Sequence, residues 1–342
     1  MPLLHIDNLH LAMRSYEGEA HVLNGVDLQV DRGQIWGLAG ETGCGKSVTG
    51  LSVSRLVNTP PARYLQGRIL FDGQDVLQMD EAAMRRLRGR AISMIFQDPS
   101  TNLNPVLRVG EQIADVALEI GRHAPEILGL GAQASGAERR RAAERLGIEM
   151  LERVGIPDAA RRARDYPHQF SGGMRQRVLI AMALVGQPRL LIADEPTTAL
   201  DVTLQAQILR LLSELVQRSD TAVLMITHNL GVVAQICSHV AVMYAGHVVE
   251  SGRTREVLQS PRHPYTRALL AALPRPGLQR GQLANLPGRV PDLIRPPPGC
   301  RFAPRCAQAG PACTVATPAS VAVSDSHRVA CVHADVTRGV PA

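Results

Sequence analysis

The residues Gly40 to Ser47 have the types and the spacing that a phosphate-binding loop requires. They fit the pattern G-x-x-x-x-G-K-[ST]. The pattern predicts that backbone N–H groups surround one anion, that Lys46 contacts the β- and γ-phosphates, and that the Ser47 hydroxyl ligates Mg²⁺. The alternative is a chance glycine-rich turn. A strand predicted over Gln34–Ala39 and a helix predicted over Ser47–Leu56 argue against that alternative, because a phosphate loop lies between such elements.

Lys46 is the only lysine among the 37 basic residues of the chain. The guanidinium of arginine is a rigid planar fork that suits flat bidentate contacts better than a position inside a tight loop, so a lysine is expected here. Four other residues of the loop are expected to offer their backbone N–H groups to the nucleotide: Gly40, Gly43, Cys44 and Gly45.

Two carboxylates follow a short apolar run at Leu190–Ala193. Such a run is typical of a buried parallel strand, and the carboxyl ends of these strands face the ligand crevice of an α/β sheet. We expect Asp194 to hold the Mg²⁺ shell and Glu195 to orient and deprotonate the attacking water. An isolated Asp-Glu pair is usually a solvated turn. In a chain that also has a phosphate loop, the pair predicts hydrolysis of the bound nucleotide.

A second candidate anion site is the sequence Ser171-Gly172-Gly173-Met174, which we expect at the start of a helix. Serine caps helix N-termini, and the unpaired N–H groups at a helix start favour an anion. The presence of this site beside the phosphate loop distinguishes the chain from other phosphate-loop ATPases.

The composition is that of an ordinary soluble globular protein, with 45% apolar and 20% charged residues. Aromatic residues make up only 3%, which leaves little material for base stacking, and the net charge of +6 is a mild excess over 342 residues. We therefore expect no nucleic-acid partner. The longest apolar stretch, at 178–186, is about half the length that a bilayer requires. Since the N-terminus also lacks the order of a signal peptide, we expect a cytoplasmic protein.

The order of the predicted elements indicates an α/β fold. Leu3–Leu11 and Val22–Val30 alternate apolar and polar residues, which predicts an N-terminal hairpin. Short apolar runs at 189–193 and 222–227 enclose a helix predicted over Thr203–Arg218. This is strand–helix–strand order, which is typical of an α/β core.

Composition also predicts how the chain divides into domains. The pattern is helical from about residue 100 to 170. From residue 275 onward prolines crowd together and glutamate is absent. We expect a first domain over 1–274, with a helical subdomain over about 100–170, and a small loop-rich domain over 275–342.

Together these motifs resemble the nucleotide-binding subunits of ABC transporters. The signature of that family is usually written LSGGQ, and here it is FSGGM at 170–174. The resemblance implies an ABC-type P-loop ATPase fold, with an N-terminal antiparallel β subdomain and a helical signature subdomain. It also implies that ATP and Mg²⁺ bind, and that Ser171, Gly172, Gly173 and Met174 contact the ATP held by a partner subunit.

The resemblance assigns roles to further residues. Gln97 matches the Q-loop glutamine that contacts Mg²⁺ and reports to the membrane domains, Asp201 matches the D-loop, and His228 matches the switch histidine that contacts the γ-phosphate. These proteins usually stack an aromatic residue on the adenine. Alignment of the first strand puts Met13 at that place, and Tyr16 is the nearest aromatic residue.

Two segments look most like the dipeptide and oligopeptide importer branch of the family. They are HPYTRALL at 263–270 and PPPGCRFAPRC at 296–306. The resemblance implies a subunit on the cytoplasmic face of the inner membrane that powers peptide import. Its expected partners are a second ABC ATPase chain, different or identical, two membrane permease subunits and, indirectly, a solute-binding protein.

Two other functions are consistent with the motifs. Import of nickel, glutathione or another small solute is one, since related systems use the same motor. A soluble ABC ATPase that acts on DNA or ribosomes is the other. That class would carry a long coiled-coil insertion or two fused ATPase halves, and the sequence contains neither.

Four cysteines cluster in the last part of the chain, at Cys300, Cys306, Cys313 and Cys331. In a reducing cytoplasm such a cluster favours a metal site over disulfides. The chemistry permits an iron–sulfur cluster or structural zinc, with His327 and His333 as possible nitrogen ligands, and four free thiols are the remaining alternative. The resemblance to peptide importers implies a [4Fe–4S] cluster.

Overall fold

The computed structural model describes residues 1–131, 133–198, 200–273 and 286–334, and of Pro99 and Ser100 the backbone alone. The chain forms two compact units. The first comprises Met1–Leu77 and Met225–Ala342, and the second comprises Gln78–Leu224. None of the helices in the described part of the chain combines the length and apolar character that a bilayer crossing needs.

The strands, in chain order, are β1 (Leu4–Arg14), β2 (Glu19–Val30), β3 (Ile35–Ala39), β4 (Ala62–Phe71), β5 (Gln74–Asp75), β6 (Ile92–Ile95), β7 (Leu190–Asp194), β8 (Ala222–Thr227), β9 (His239–Tyr244), β10 (His247–Arg253), β11 (Val321–Ala322) and β12 (Arg328–Val329). The α-helices are α1 (Lys46–Val53), α2 (Glu81–Leu87), α3 (Pro99–Asn102), α4 (Val109–Gly121), α5 (Gly136–Arg153), α6 (Ala159–Arg162), α7 (Gly172–Leu184), α8 (Val202–Ser219), α9 (Leu230–Ile236), α10 (Thr254–Gln259), α11 (Pro264–Ala271) and α12 (Ala312–Val315). Short 3₁₀ helices span Pro125–Leu128, Pro167–Gln169 and Ala303–Arg305.

The first unit contains an antiparallel sheet in the order β2-β1-β4-β5. Its first two strands form the hairpin that the alternating sequence predicts, with Leu4 opposite Val30 and Arg14 opposite Glu19. The strands of a second sheet follow the order β11-β12-β10-β9-β3-β8. The division between the units falls inside β8, whose residues are all buried.

In this second sheet β3 lies between β9 and β8, runs parallel to β9 and leads into the loop before α1. Trp36 and Ala39 pair with His239 and Val242. Three of the five β3 side chains in the sequence Ile35–Ala39 are apolar and almost inaccessible to solvent, so the strand is fixed on both faces by the hydrophobic core.

The second unit is mainly helical. β6 and β7 form a parallel pair in it, with Ile95 opposite Ala193. The helices α4, α5 and α7 pack together, and their buried apolar residues recur at helical spacing. The helix predicted over Thr203–Arg218 is present as α8, one residue longer at each end, and α4, α5 and the short α6 lie in the region predicted to be helical.

Beyond residue 285 the described chain is rich in loops, with one four-residue helix and two strands of two residues each. It joins the first unit through β12, which pairs antiparallel with β10. The predicted fold class is present: the protein is α/β, with an N-terminal antiparallel sheet.

Candidate nucleotide site

The loop at Gly40–Ser47 connects β3 to α1, as the sequence predicts. Three of its residues have positive φ angles that favour glycine: 154° at Gly40, 82° at Gly43 and 106° at Gly45. A Cβ atom on Gly40 would lie 2.1 Å from the carbonyl oxygen of Met243, so no other residue fits there without a shift of backbone. The glycines therefore allow the tight curvature that turns backbone N–H groups towards one anion.

Lys46 begins α1, and its side chain is folded back over the loop. The ammonium Nζ donates to the carbonyl oxygens of Gly40 at 2.7 Å and Glu41 at 2.8 Å, and the residue is 5% exposed. Cys44 is fully buried beneath it, and burial raises the pKa of its thiol despite the nearby ammonium. Cys44 therefore stays a neutral thiol, and the loop presents a single positive charge.

The other site residues predicted in the first unit lie on separate elements. Ser47 is the second residue of α1 and is half-buried. His228 follows β8 directly and is exposed, and β8 is the sheet neighbour of β3. Met13 lies in β1, paired with Ala20 and half-buried. Tyr16, by contrast, is in the turn after β1 and fully exposed.

In the second unit, strand register brings the predicted catalytic residues together. Ile95 pairs with Ala193, so Gln97 and Glu195 each lie two residues beyond a paired position. The Gln97 amide Nε2 donates to Glu195 Oε2 at 3.2 Å. Asp194 and Glu195 are 6% and 9% exposed, so both carboxylates are buried at the end of β7.

Thr198 is a site residue that the sequence analysis missed. Its hydroxyl donates to Glu195 Oε2 at 2.8 Å, the same oxygen that Gln97 contacts. The sequence could have indicated it through its position three residues after Glu195, in the turn Pro196-Thr197-Thr198. Two donors on one oxygen fix the orientation of the Glu195 carboxylate.

The signature sequence opens α7. Ser171 caps this helix, and its Oγ accepts from the Met174 backbone N–H at 3.3 Å. Ser171 and Gly172 are exposed, whereas Gly173 is buried against α8. A Cβ atom on Gly173 would lie 2.6 Å from Leu204 Cδ1, so a larger residue would clash there. The serine hydroxyl and the first N–H groups of a helix therefore lie at the surface of this unit, which suits an anion.

The D-loop residue Asp201 caps the next helix. Its Oδ1 accepts from the backbone N–H of Leu204, at the start of α8. Leu204 is also the side chain that limits the space beside Gly173. The starts of α7 and α8 are therefore in contact, and the signature and D-loop sequences lie at neighbouring positions. Ala199, two residues before Asp201 in the D-loop sequence, lies outside the described residues.

The four cysteines predicted to bind metal line one small cavity, together with His263, Phe302 and His333. Cys313 Sγ lies 3.8 Å from His333 Nε2, and burial raises the pKa values of the Cys300 and Cys331 thiols. Among the described residues, however, no three histidine, cysteine or acidic side chains are placed to hold one metal ion. Four cysteine sulfur atoms suit iron or zinc. The four residues lie around one cavity, but the described side chains are not placed as a formed set of metal ligands.

Comparison with known proteins gives the family. A model named ABC transporter matches residues 23–198, which include the phosphate loop, the signature and both carboxylates. A second model, for the oligopeptide/dipeptide transporter C-terminal region, matches residues 249–313. A dipeptide transport ATP-binding protein of Bacillus subtilis is 46% identical over 96% of this chain and 94% of its own length. The chain belongs to the dipeptide/oligopeptide branch of the ABC transporter ATP-binding proteins.

Other members of the branch are equally similar. A putative peptide import ATP-binding protein of Brucella ovis is 48% identical, with 97% of each chain covered. An oligopeptide transport ATP-binding protein of Bacillus subtilis is 44% identical over 96% of this chain and 87% of that one.

Solved structures of ABC cassettes have the same fold. A dimeric ATP-binding cassette in a post-hydrolysis state, bound to ADP and phosphate, superposes with a TM-score of 0.61 at 26% identity. The match covers 74% of this chain and 99% of that one. The family and the fold predicted from the motifs are therefore confirmed.

Proposed function

We propose that this chain is the ATP-hydrolysing subunit of an ABC transporter that imports dipeptides and oligopeptides. The observation that carries the proposal is the Gly40–Ser47 loop, in which three positive-φ residues curl the backbone around the buried ammonium of Lys46. Membership of the dipeptide/oligopeptide branch supports the choice of cargo.

Each predicted residue has a role in binding the nucleotide. The backbone N–H groups of Gly40, Gly43, Cys44 and Gly45 hold the phosphates, and Lys46 neutralises the β- and γ-phosphates. Ser47, Gln97 and Asp194 would hold the Mg²⁺ ion, which would neutralise charge that develops on the phosphates. Met13 or Tyr16 contacts the adenine; Met13 is half-buried in β1, whereas Tyr16 is fully exposed.

Hydrolysis is assigned to Glu195 and His228. Glu195 takes the proton of the attacking water, and its hydrogen bonds from Gln97 and Thr198 aim the carboxylate. His228 contacts the γ-phosphate and stabilises the charge that is transferred. In this mechanism Gln97 has two contacts, with Mg²⁺ and with the base, which suits a residue that reports the state of the site to the membrane subunits.

The complete site needs a second ATPase chain. The start of α7 contacts the ATP held by that partner, with Ser171 and Gly172 exposed, Met174 half-buried and Gly173 buried behind them. Asp201 is exposed at the start of α8. We propose that residues 1–274 form the ATPase domain, with the helical subdomain over about 100–170 docking on two permease subunits at the cytoplasmic face of the inner membrane. A solute-binding protein delivers the peptide to those permeases.

We further propose that the loop-rich domain over 275–342 binds a [4Fe–4S] cluster through Cys300, Cys306, Cys313 and Cys331, with structural zinc as the alternative. Their common cavity supports this assignment. A cluster cross-links segments that have few large apolar side chains of their own, and such small segments need a staple of this kind.

The function is tested on the whole transporter, reconstituted in liposomes with its permeases, both ATPase subunits and its binding protein. Di- and oligopeptides are expected to stimulate ATP hydrolysis, and the Lys46→Ala variant is expected to lower the rate by about 100-fold or more. Nickel and glutathione serve as competing cargoes. Stimulation by one of these alone would refute peptide import, and a wild-type complex without ATPase activity would refute the motor.

A further inference from the structure

A side chain of the C-terminal segment contacts the phosphate loop. Arg305 Nη1 and Nη2 donate to Glu41 Oε2 and Oε1 at 2.7 and 3.0 Å, in a bidentate ion pair. Glu41 is the second residue of the phosphate loop, and Arg305 immediately precedes Cys306. The Arg305 side chain is 6% exposed and that of Glu41 is 26% exposed, so water screens this pair much less than a surface pair.

Arg305 is held in place on its other edges. Its Nε donates to the Pro287 carbonyl oxygen at 2.8 Å, Nη1 reaches the Tyr244 hydroxyl at 3.3 Å, and the guanidinium carbon lies 5.7 Å from the centre of the Tyr244 ring. The Glu41 carboxylate raises the pKa of Arg305 further, so it remains charged. Because these three contacts hold the Arg305 guanidinium in one orientation, it binds the Glu41 carboxylate in one preferred position.

The backbone of Glu41 is held as well. Its N–H donates to the hydroxyl of Tyr265 at 2.9 Å. Tyr265 is fully buried, and its ring packs against Tyr244 and Phe302, with centroids 4.6 and 5.4 Å away. Phe302 lies between Cys300 and Cys306 in the sequence and lines the cysteine cavity. One aromatic cluster therefore connects the cysteine-bearing segment to the start of the loop.

Glu41 also contacts Lys46, the lysine of the phosphate loop. The Glu41 carbonyl oxygen accepts from Lys46 Nζ at 2.8 Å. A shift of Glu41 would thus move one of the two carbonyls that place the ammonium, and it would change the curvature of the loop between Gly40 and Gly43. The side chain, the N–H and the carbonyl of this one residue contact three different partners.

From these contacts we propose that Arg305 is a positioning residue of the nucleotide site. It holds the phosphate loop through Glu41 in the shape that binds ATP, so that nucleotide affinity depends on the folded C-terminal segment. The proposal rests on the proposed function, because it requires that this loop binds ATP. It adds a contribution from outside the loop, which nothing in the phosphate-loop pattern itself contains.

The test measures ATP affinity and thermal stability on the full-length chain. Arg305→Gln is expected to raise the dissociation constant for ATP by about tenfold, because a buried charge-assisted pair is lost. Arg305→Lys keeps the positive charge but loses the planar fork. Its dissociation constant for ATP is expected to fall between those of the wild type and Arg305→Gln. The matched control is Arg289→Ala, an exposed arginine of the same segment, which is expected to bind ATP like the wild type.

Two further variants separate positioning from a general loss of folding. Combined Glu41→Gln and Arg305→Gln should weaken binding no more than the worse single variant, because both remove one interaction. The charge swap Glu41→Arg with Arg305→Glu should bind ATP more tightly than either half alone, even if Arg305→Gln lowers the melting temperature. Wild-type affinity in Arg305→Gln, additive effects of the two glutamines, or a swap no better than its halves would overturn the proposal. If the wild type itself binds no ATP, or Lys46→Ala does not weaken binding, the proposed function fails instead.

Discussion

Glu195 is subject to three constraints that rarely occur together in a surface turn. Its φ is 48°, in a region that non-glycine residues seldom occupy, its side chain is 9% exposed, and two donors end on one of its oxygens. Backbone strain and a buried carboxylate both cost stability, and such costs persist mainly where function requires them. Glu195 therefore has the environment expected of a fixed general base.

Glu195→Gln tests this at the scale of a single residue. The amide keeps the size and one oxygen acceptor but has no basic site, so turnover in the assembled transporter is expected to fall by about 100-fold or more while ATP still binds. Trapped ATP-bound dimers should accumulate with the membrane partners. The matched control is Asp220→Asn at the exposed end of α8, outside the helical subdomain, expected to be neutral. Turnover near the wild-type rate would show that another group acts as the base.

At the scale of elements, the hairpin of β9 and β10 connects the phosphate loop, the N-terminal sheet and the C-terminal segment. Tyr244 and His247 pair across a two-residue turn, Ala245-Gly246, in which both φ angles are positive. The Gly246 carbonyl accepts from Asn24 of β2, and its N–H donates to the Cys44 carbonyl. A change in this turn would therefore reach the nucleotide loop directly.

The same hairpin predicts a pH dependence. Burial, with Arg301 and His10 nearby, lowers the pKa of His247 to about 3. The unfolded chain, with a histidine pKa near 6.5, binds more protons below that pH, so stability is complete above about pH 6.5 and declines as the pH falls. His247→Gln keeps an acceptor for the Asn24 amide, which lies 3.0 Å from His247 Nε2.

Between about pH 7 and about pH 5, the wild type is expected to lose on the order of 1–2 kcal/mol more unfolding free energy than His247→Gln. Denaturant unfolding followed by circular dichroism at each pH measures the difference. His123→Gln, at an exposed position on the second unit, should retain the wild-type slope. Equal slopes for wild type and His247→Gln would contradict the neutral, buried imidazole.

At the scale of the whole molecule, the C-terminal segment completes the first unit. β12 extends the sheet at β10, and next to it His327 Nε2 lies 2.7 Å from Glu250 Oε1, with both side chains buried. Glu250 also accepts the backbone N–H groups of Arg262 and His263. Removal of one member would leave a buried polar group unpaired, so this contact fixes where the segment attaches.

The metal site proposed for the four C-terminal cysteines makes a prediction for the intact chain. Anaerobically purified protein is expected to be brown, with stoichiometric iron and sulfide and visible thiolate-to-iron absorbance. Cys306→Ser should lose the colour, whereas Cys237→Ser, at a buried cysteine outside the cavity, should keep it. A colourless wild type with stoichiometric zinc would replace the cluster by the zinc alternative, and metal-free protein would refute both.

The sequence predicted structure that depends on residues close in the chain better than contacts between residues far apart in it. The phosphate loop, the N-terminal hairpin and the strand–helix–strand core follow from residues close in sequence, and all are present. The β9–β10 hairpin was missed because Ala-Gly is a weaker turn signal than Asn-Gly. Thr198 had only a weak local signal, its position three residues after Glu195. Tyr265 and Arg305 carry no local pattern for the contacts they make with Glu41, because those contacts join residues more than two hundred positions apart.

The discontinuity of the first unit has a consequence for synthesis of the protein. The ribosome delivers Gly40–Ser47 early, whereas β9 and β10 follow after the whole second unit and Arg305 comes near the end. The second unit is continuous in sequence, so it has all of its residues before the first unit does. During synthesis the phosphate loop therefore lacks its contacts with β9, β10 and Arg305 until the whole second unit has been made. A binding-ready loop is a property of the finished polypeptide.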